Sequence, residues 1–225
     1  MAEIKVMASA AFKQAYLELL PRFERSSGHT ALNLWVPSVQ MMSRLKDGEP
    51  VDVVILAATA LDELIRAGIV TGRTDLARSG IGVAVKAGAP RPDISSAEAV
   101  KRTVLAAKSI VCSTGPSGIH LRGLFERMGI ADEIRHKVKQ SQGVPAGSFV
   151  ASGEAEIAFQ QMSELLPVPG IDIIGPLPPD VQQTTIFSAG IHTKAQQPDA
   201  ARALLRFLAA PEAIPVIRSK GLEPA

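Results

Sequence analysis

Short runs of β-forming residues and longer amphipathic stretches take turns along this chain. Residues 4–8, 30–36 and 51–56 read as strands. After the first, Phe12, Tyr16, Leu19, Leu20 and Phe23 recur at helical spacing and put one apolar stripe on a helix over residues 12–25. Ser38 is the expected N-cap of a second helix, which reaches Lys46 and closes at Asp47-Gly48. A third helix, residues 60–67, ends at Gly68. The run 51–56 is apolar except for Asp52, the pattern of a parallel strand covered on both faces.

Three strand–helix units within about seventy residues predict an open α/β sheet. A glycine-containing strand, 80–88, follows, and Pro90 and Pro92 mark a change of region. Beyond them a second series is expected: helix 96–107, strand 109–112, helices 117–128 and 144–152, and strand 156–159. The turn-rich stretch 175–180 leads into an extended strand over 184–192, and helices 198–208 and 211–219 close the chain. The fold class expected is α/β, with two α/β lobes joined by a two-segment hinge near 80–88 and 184–193. Residues 1–80 with 193–225 form lobe one, and residues 81–192, hinge strands included, form lobe two.

Composition narrows the partners. The 225 residues, 46% hydrophobic and 20% charged, suit a globular protein with a sizeable core. Net charge is +2 with no basic stripe, so no nucleic acid partner is expected, and a monomer is. The longest uncharged apolar stretch, 53–61, is too short to span a bilayer. Met1-Ala2-Glu3-Ile4-Lys5 lacks the basic and apolar regions of a secretory signal. A periplasmic location is expected if a signal was removed from this sequence, and a cytoplasmic one otherwise. The single cysteine, Cys112, lies in an apolar run and reads as a buried structural thiol.

Catalytic signatures are sparse, and the expectation is a protein that is not an enzyme and carries no metal or cofactor. The chain has no phosphate-binding loop, no H-E-x-x-H and no C-x-x-C, and its four histidines lack metal-ligand spacing. Gly115-Pro-Ser117-Gly118-Ile119 resembles a nucleophile elbow, but Ile119 replaces the second glycine, and His120 sits on the same helix as Ser117. A Ser117 esterase is an alternative on that ground. What recurs instead is a small or hydroxyl residue where a strand passes into a helix: Ser9-Ala10-Ala11, Pro37-Ser38, Ala57-Ala-Thr59 and Gly115-Pro-Ser-Gly118. Such junctions let helix-start N–H groups point at an anion, at the strand ends where open α/β sheets bind ligands. Arg78, ahead of the first hinge strand, would hold a carboxylate bidentately or stand solvated at the surface.

Several segments resemble the periplasmic molybdate-binding proteins of ABC uptake systems, of the type 2 periplasmic binding-protein fold. Ile4-Lys-Val-Met-Ala-Ser-Ala-Ala-Phe12 looks like that family's V-T-V-F-A-A-A-S-L opening, and Leu45-Lys-Asp-Gly-Glu-Pro-Val-Asp-Val53 like its I-E-x-G-A-P-A-D-V. Ser152-Gly-Glu-Ala-Glu156 and the stretch 198–208 resemble its later G-E-A-D and P-E-A-A-x-x-F-x-x-F-L motifs. The resemblance implies contacts to a small oxyanion in a cleft between the lobes. Its first serine falls on Ala11, with Ser9 two residues upstream and Ala10 between; its second matches Ser38. Its alanine backbone contact falls on Ser117 beside Gly118, its valine on Gly143 or Val144, and its tyrosine on Gln161, next to Gln160.

The resemblance thus implies the solute-binding component of an ABC system, with a membrane permease as partner and a molybdate- or tungstate-like oxyanion as cargo. Three of the five contact positions differ in chemistry, so a small carboxylate or other polar anion stays open, with Arg78, Ser117, Gln160 and Gln161 as its contacts. A regulatory effector-binding domain, as in LysR-type regulators, shares the same fold and is a further alternative.

Overall fold

The alternation of strands and helices becomes two separate mixed sheets in the computed structural model, which describes residues 1–225. Met1–Ser79 with Thr185–Ala225 builds one unit and Gly80–Thr184 the other, so the chain passes between them twice. In the first unit β1 (Glu3–Ala8) leads through a 3-10 turn, Ala10–Phe12, into α1 (Lys13–Ser27). Then come β2 (Thr30–Trp35), α2 (Ser38–Lys46), β3 (Val53–Ala57), α3 (Ala58–Arg66) and β4 (Val70–Ser79). β1 pairs parallel with β2 and β3. Ser38 opens α2 but does not cap it: Pro37 takes the cap place, and the serine hydroxyl makes no bond to the helix start.

The second unit contains β5 (Ile81–Lys86), α4 (Ala97–Ala106), β6 (Ile110–Ser113), α5 (Pro116–Arg127), α6 (Ala131–Ile134) and β7 (Val138–Ser141). It continues with α7 (Ala146–Ser152), β8 (Ile157–Gln161), α8 (Met162–Leu165) and β9 (Ile171–Pro176). The sheet order is β7-β6-β8-β5-β9, with β6 parallel to β7 and β8. The chain then returns as β10 (Thr185–His192), α9 (Pro198–Leu208), α10 (Ile214–Ser219) and the two-residue β11 (Glu223–Pro224). β10 runs antiparallel between β3 and β4, so residues 185–192 lie in the first sheet and not with residues 81–184.

β4, β7 and β9 have no counterpart in the periodicity, and each has a local reason. β4 carries Gly72, Arg73, Thr74 and Asp75 and pairs with β10 through two register shifts, which erases any alternation. β7 and β9 are the two edges of their sheet, where half the side chains face water and the pattern weakens. The expected helix 211–219 divides into a 3-10 turn, Pro211–Ala213, and α10, whose first turn holds Pro215. A proline there lacks the N–H that a longer helix would need.

Alternation within the central strands fills both faces of the first sheet. Ile4, Val6, Val53 and Ile55 pack under α1 and α9 against Tyr16, Leu19, Leu204 and Leu208. Met7, Val54 and Leu56 pack on the other side against Met41, Leu45, Leu61 and Leu64 of α2 and α3. Burying a side chain of this size is worth roughly 1.5–3 kcal/mol.

One buried polar group ties these layers together. Asp52, 4% exposed, accepts the Lys5 N–H on Oδ2 at 2.8 Å, and those of Gln196 and Gln197 on Oδ1 at 2.7 and 2.8 Å. Gln197 directly precedes α9, so this carboxylate caps that helix from a distant strand. Beside it His192, also buried, accepts the Lys194 N–H on Nδ1. Burial, then nearby Lys194, holds the imidazole below its usual pKa, with Asp52 opposing.

Replacing Asp52 by Ala should cost at least about 3 kcal/mol of unfolding free energy, because hydrogen bonds to a charged group are worth roughly 1.5–3 kcal/mol each and the freed N–H groups stay buried. Chemical denaturation measures it, and a loss below about 1 kcal/mol would contradict this role. His192 binds its proton more readily unfolded than folded, so stability should fall as pH drops through the unfolded value of about 6.5. His192→Gln should flatten the dependence of melting temperature on pH between about 7.5 and 5.

Candidate functional site

Parallel strands bring their carboxyl ends to one edge, and each sheet has such an edge. In the first unit β1, β2 and β3 deliver Ser9, Val36 and Ala58, each leading into a helix or turn. The first N–H groups of a helix lack partners within it. Ser9 donates its own N–H to the Ile55 carbonyl at 2.9 Å, which pins the turn to β3. Its hydroxyl is buried and has no hydrogen-bond partner. Ala10 is exposed, whereas Ala11 is packed against Ala57 and Phe187. Ser38 is half-buried at the start of α2.

β4 runs in the same sense as β3, since β10 is antiparallel to both, and this brings Arg78 to the same edge. Its guanidinium is exposed and already engaged: Nε and Nη2 donate to the Pro224 carbonyl at 3.3 and 3.0 Å. The carboxylate clamp expected of Arg78 is therefore shared with the β11 backbone. Two residues without a place in the sequence reading stand at this edge. Trp35 is the last residue of β2, and Lys13 Nζ lies 5.2 Å from its ring centroid.

The second unit repeats the arrangement with more hydroxyls. Ser113 and Ser141 are register partners at the ends of β6 and β7, and Gln160 of β8 comes next in the same row, one step after the Cys112–Phe159 pair. Ser113 Oγ accepts the Gly115 N–H at 3.3 Å and shares a 2.9 Å hydrogen bond with Ser117 Oγ, in the first turn of α5. Gly118 is required one residue later. A Cβ there would fall on the Ser113 carbonyl oxygen, so only glycine lets α5 start this close to the strand.

Gln160 joins two helix starts. Its Oε1 accepts the Ala146 N–H of α7 at 2.6 Å, and its Nε2 donates to Glu164 Oε1 of α8 at 2.9 Å. Gln161 ends β8, is buried, and occupies the cap place of α8. The Ser141 and Ser163 hydroxyls are buried without partners. Val144 is exposed in the loop ahead of α7. Of the expected residues in this unit, Ser117, Gly118, Gln160 and Gln161 thus sit among Ser113, Ser141, Ser163 and Glu164, none of which stood out in the sequence. Ser141 was hidden with β7, and Glu164 with the four-residue α8.

Glu164 is the titratable group of this network. Burial pushes its carboxyl up to about 7, against the opposing donation from Gln160. A carboxyl with that value both takes and returns protons at neutral pH. The Ser117–His120 pairing is not formed: His120 Nε2 lies 2.9 Å from the Val181 carbonyl, which forces it to carry the hydrogen, and Ser117 is bonded to Ser113. Cys112 is buried, and burial pushes its thiol up to about 12, in keeping with a structural role.

Two mixed α/β units linked by two chain passages, with hydroxyls and helix starts along parallel strand ends, define a periplasmic-binding-protein type of fold. The chain belongs to the family of bacterial extracellular solute-binding proteins, whose model matches residues 4–223. It is 39% identical over 98% of its length to a protein named aconitate isomerase from a Pseudomonas species, covering 87% of that protein. It is 25% identical over 98% of its length to the molybdate-binding protein ModA of Azotobacter vinelandii, covering 89% of it. The solved periplasmic molybdate-binding protein of Azotobacter vinelandii superposes with a TM-score of 0.82 at 18% identity, covering 99% of each chain.

The expectation that the chain is not an enzyme is overturned by the relative named aconitate isomerase. The non-enzyme expectation rested on missing serine-hydrolase, phosphate-loop and zinc motifs, but proton transfer by one well-placed carboxyl leaves no spaced signature in a sequence.

Gly118→Ala should lose about 1–3 kcal/mol through overpacking of the α5 start. Gly123→Ala, in the same helix with only the flexible Arg127 side chain near its Cβ, should instead be neutral or gain up to about 1 kcal/mol. Thermal unfolding of the pair separates the close approach from helix propensity.

Proposed function

We propose that this protein binds a small unsaturated polycarboxylate such as aconitate and interconverts its isomers by moving a proton. The observation that carries the reading is the full-length similarity to a protein named aconitate isomerase, at 39% identity against 25% for the molybdate-binding relative. The site chemistry supports it: Ala11 and Gln161 stand where the molybdate-binding pattern has a serine and a tyrosine.

The chemistry needs one group that works in both directions. A base removes a proton from the methylene carbon next to the double bond, and the electron pair spreads through the double bond onto a carboxylate. The same proton then returns to the far alkene carbon, leaving the double bond shifted and its geometry reset. Atoms and charge balance without an oxidant or a second reactant. Glu164, with a pKa near 7, is the candidate for that group, and Gln160 fixes one of its oxygens. The hydroxyls of Ser113, Ser117, Ser141 and Ser163, with the helix-start N–H groups, are the candidate donors to the carboxylates. Such donors also stabilise the charge that collects on a carboxylate as the proton leaves.

The family description supports a second reading, in which the protein hands a small anionic solute to an ABC permease outside the cytoplasmic membrane. The molybdate-binding relative favours a metalate as that solute.

Purified protein should interconvert cis- and trans-aconitate, followed by proton NMR. The base must be ionised to act, so the rate should rise with pH through about 7 and level off above it. Glu164→Gln should lower kcat by about 100-fold or more, with a smaller effect on KM. Stabilisation by molybdate, about 2.7 kcal/mol at 100 times its Kd, with no turnover of either isomer, would reject the isomerase reading in favour of metalate transport.

A further inference from the structure

We infer that Lys13, held over the Trp35 ring, is the residue that selects a polycarboxylate at the strand-end edge of the first unit. This rests on the organic-acid reading above and adds the group that would decide it. Lys13 is the first residue of α1 and follows Ser9 by four positions, across the 3-10 turn Ala10–Phe12, so both stand where β1 passes into α1. Trp35 closes β2, the strand beside β1, and its ring is fixed edge-on against buried Tyr16 with centroids 5.6 Å apart. A tryptophan face attracts a cation and holds it in one place. The ammonium of Lys13 is thereby set at the carboxyl edge of β1 and β2.

What marks Lys13 out is the aromatic ring beneath its ammonium. Arg44, Lys46, Arg73 and Lys220 in the same unit each bond a carboxylate of the protein. Lys13 has the indole face and no carboxylate partner. Four positions earlier the Ser9 hydroxyl is buried and without a partner, at the head of the 3-10 turn that precedes α1. The two observations are independent, and both call for an acceptor from outside the chain. A small tetrahedral anion would be met by the Ser9 hydroxyl and nearby N–H groups alone. Lys13 follows on the other side of the 3-10 turn, and its ammonium on a four-carbon stem suits a second carboxylate on the same short carbon skeleton. A site for a molecule with two or more carboxylates uses both groups.

The test measures binding by isothermal titration calorimetry with a saturated tricarboxylate, propane-1,2,3-tricarboxylate, and with molybdate. Lys13→Met keeps the aliphatic stem over Trp35 and removes the charge. It should weaken tricarboxylate binding by about tenfold to a hundredfold, reduce its dependence on salt, and leave any molybdate affinity within about twofold. Lys13→Arg should retain most of the tricarboxylate affinity, because the charge and the stacking persist. Melting temperatures of both variants show that folding is intact. If the parent binds the tricarboxylate and Lys13→Met binds it within twofold of the parent, the inference fails while the organic-acid reading stands. If Lys13→Met weakens molybdate and tricarboxylate equally, the residue is a general anion contact and the inference also fails. If the parent binds no tricarboxylate, the reading and the inference fall together.

Discussion

A single buried carboxylate ties the first sheet to its final helix, beside the edge where the parallel strands end. Asp52 bonds N–H groups 47, 144 and 145 positions away along the chain. A buried ion is tolerated only when hydrogen bonds replace the water it has lost, and here three backbone donors do so. Its own N–H and carbonyl bond Lys5 and His192, so β1 and β10 meet on either side of it. It adds to the ladders by which β10 pairs with β3 and β4, and it fixes the start of α9 against the sheet that Met1–Ser79 begins.

The two sheets present the same kind of edge and differ in what stands on it. Neutral donors dominate in the second unit, with Ser113, Ser117, Ser141 and Ser163 around a glutamine that links α7 to α8. The first unit has fewer hydroxyls, one cation over an indole, and an arginine already bonded to backbone. Gly118 governs how close the helix dipole of α5 can come to its strand end, because any side chain there meets the Ser113 carbonyl. Glu164 supplies the only group of that edge whose proton affinity burial has carried to neutrality. Under the proposed isomerase reading, such a change in environment is what would give a binding fold its proton transfer, with no new motif.

Long-range periodicity made the α/β class readable, together with α1, α2, α9 and the central strands, because both faces of β1 and β3 are covered and their residues, Lys5 aside, are mostly apolar. Edge and bulged strands were not readable: β4, β7 and β9 owe their extended form to neighbours, and their own residues alternate poorly. The small-residue junctions were legible for Ser9, Ser38, Ser117 and Gly118, since helix starts draw on a narrow set of residues. Ser38 still differed in detail, because the proline before it took the cap place. Glu164 and Lys13 were not legible. A glutamate on a four-residue helix and a lysine at a helix start are ordinary until burial or an indole face meets them.

The sequence by itself determined the α/β class and family, the apolar faces of the central strands, and the helix starts at which an anion is expected. Those features arise from residues close together in the chain, whose spacing alone puts them on one stripe or one turn. The tertiary structure decided the rest: that Asp52 is a staple across 144 residues, that Arg78 is taken by Pro224, and that burial lifts the carboxyl of Glu164, bonded by Gln160, to about 7. Each of these depends on burial or on a partner from a distant segment, and proton affinity and pairing are properties of that environment, not of the residue.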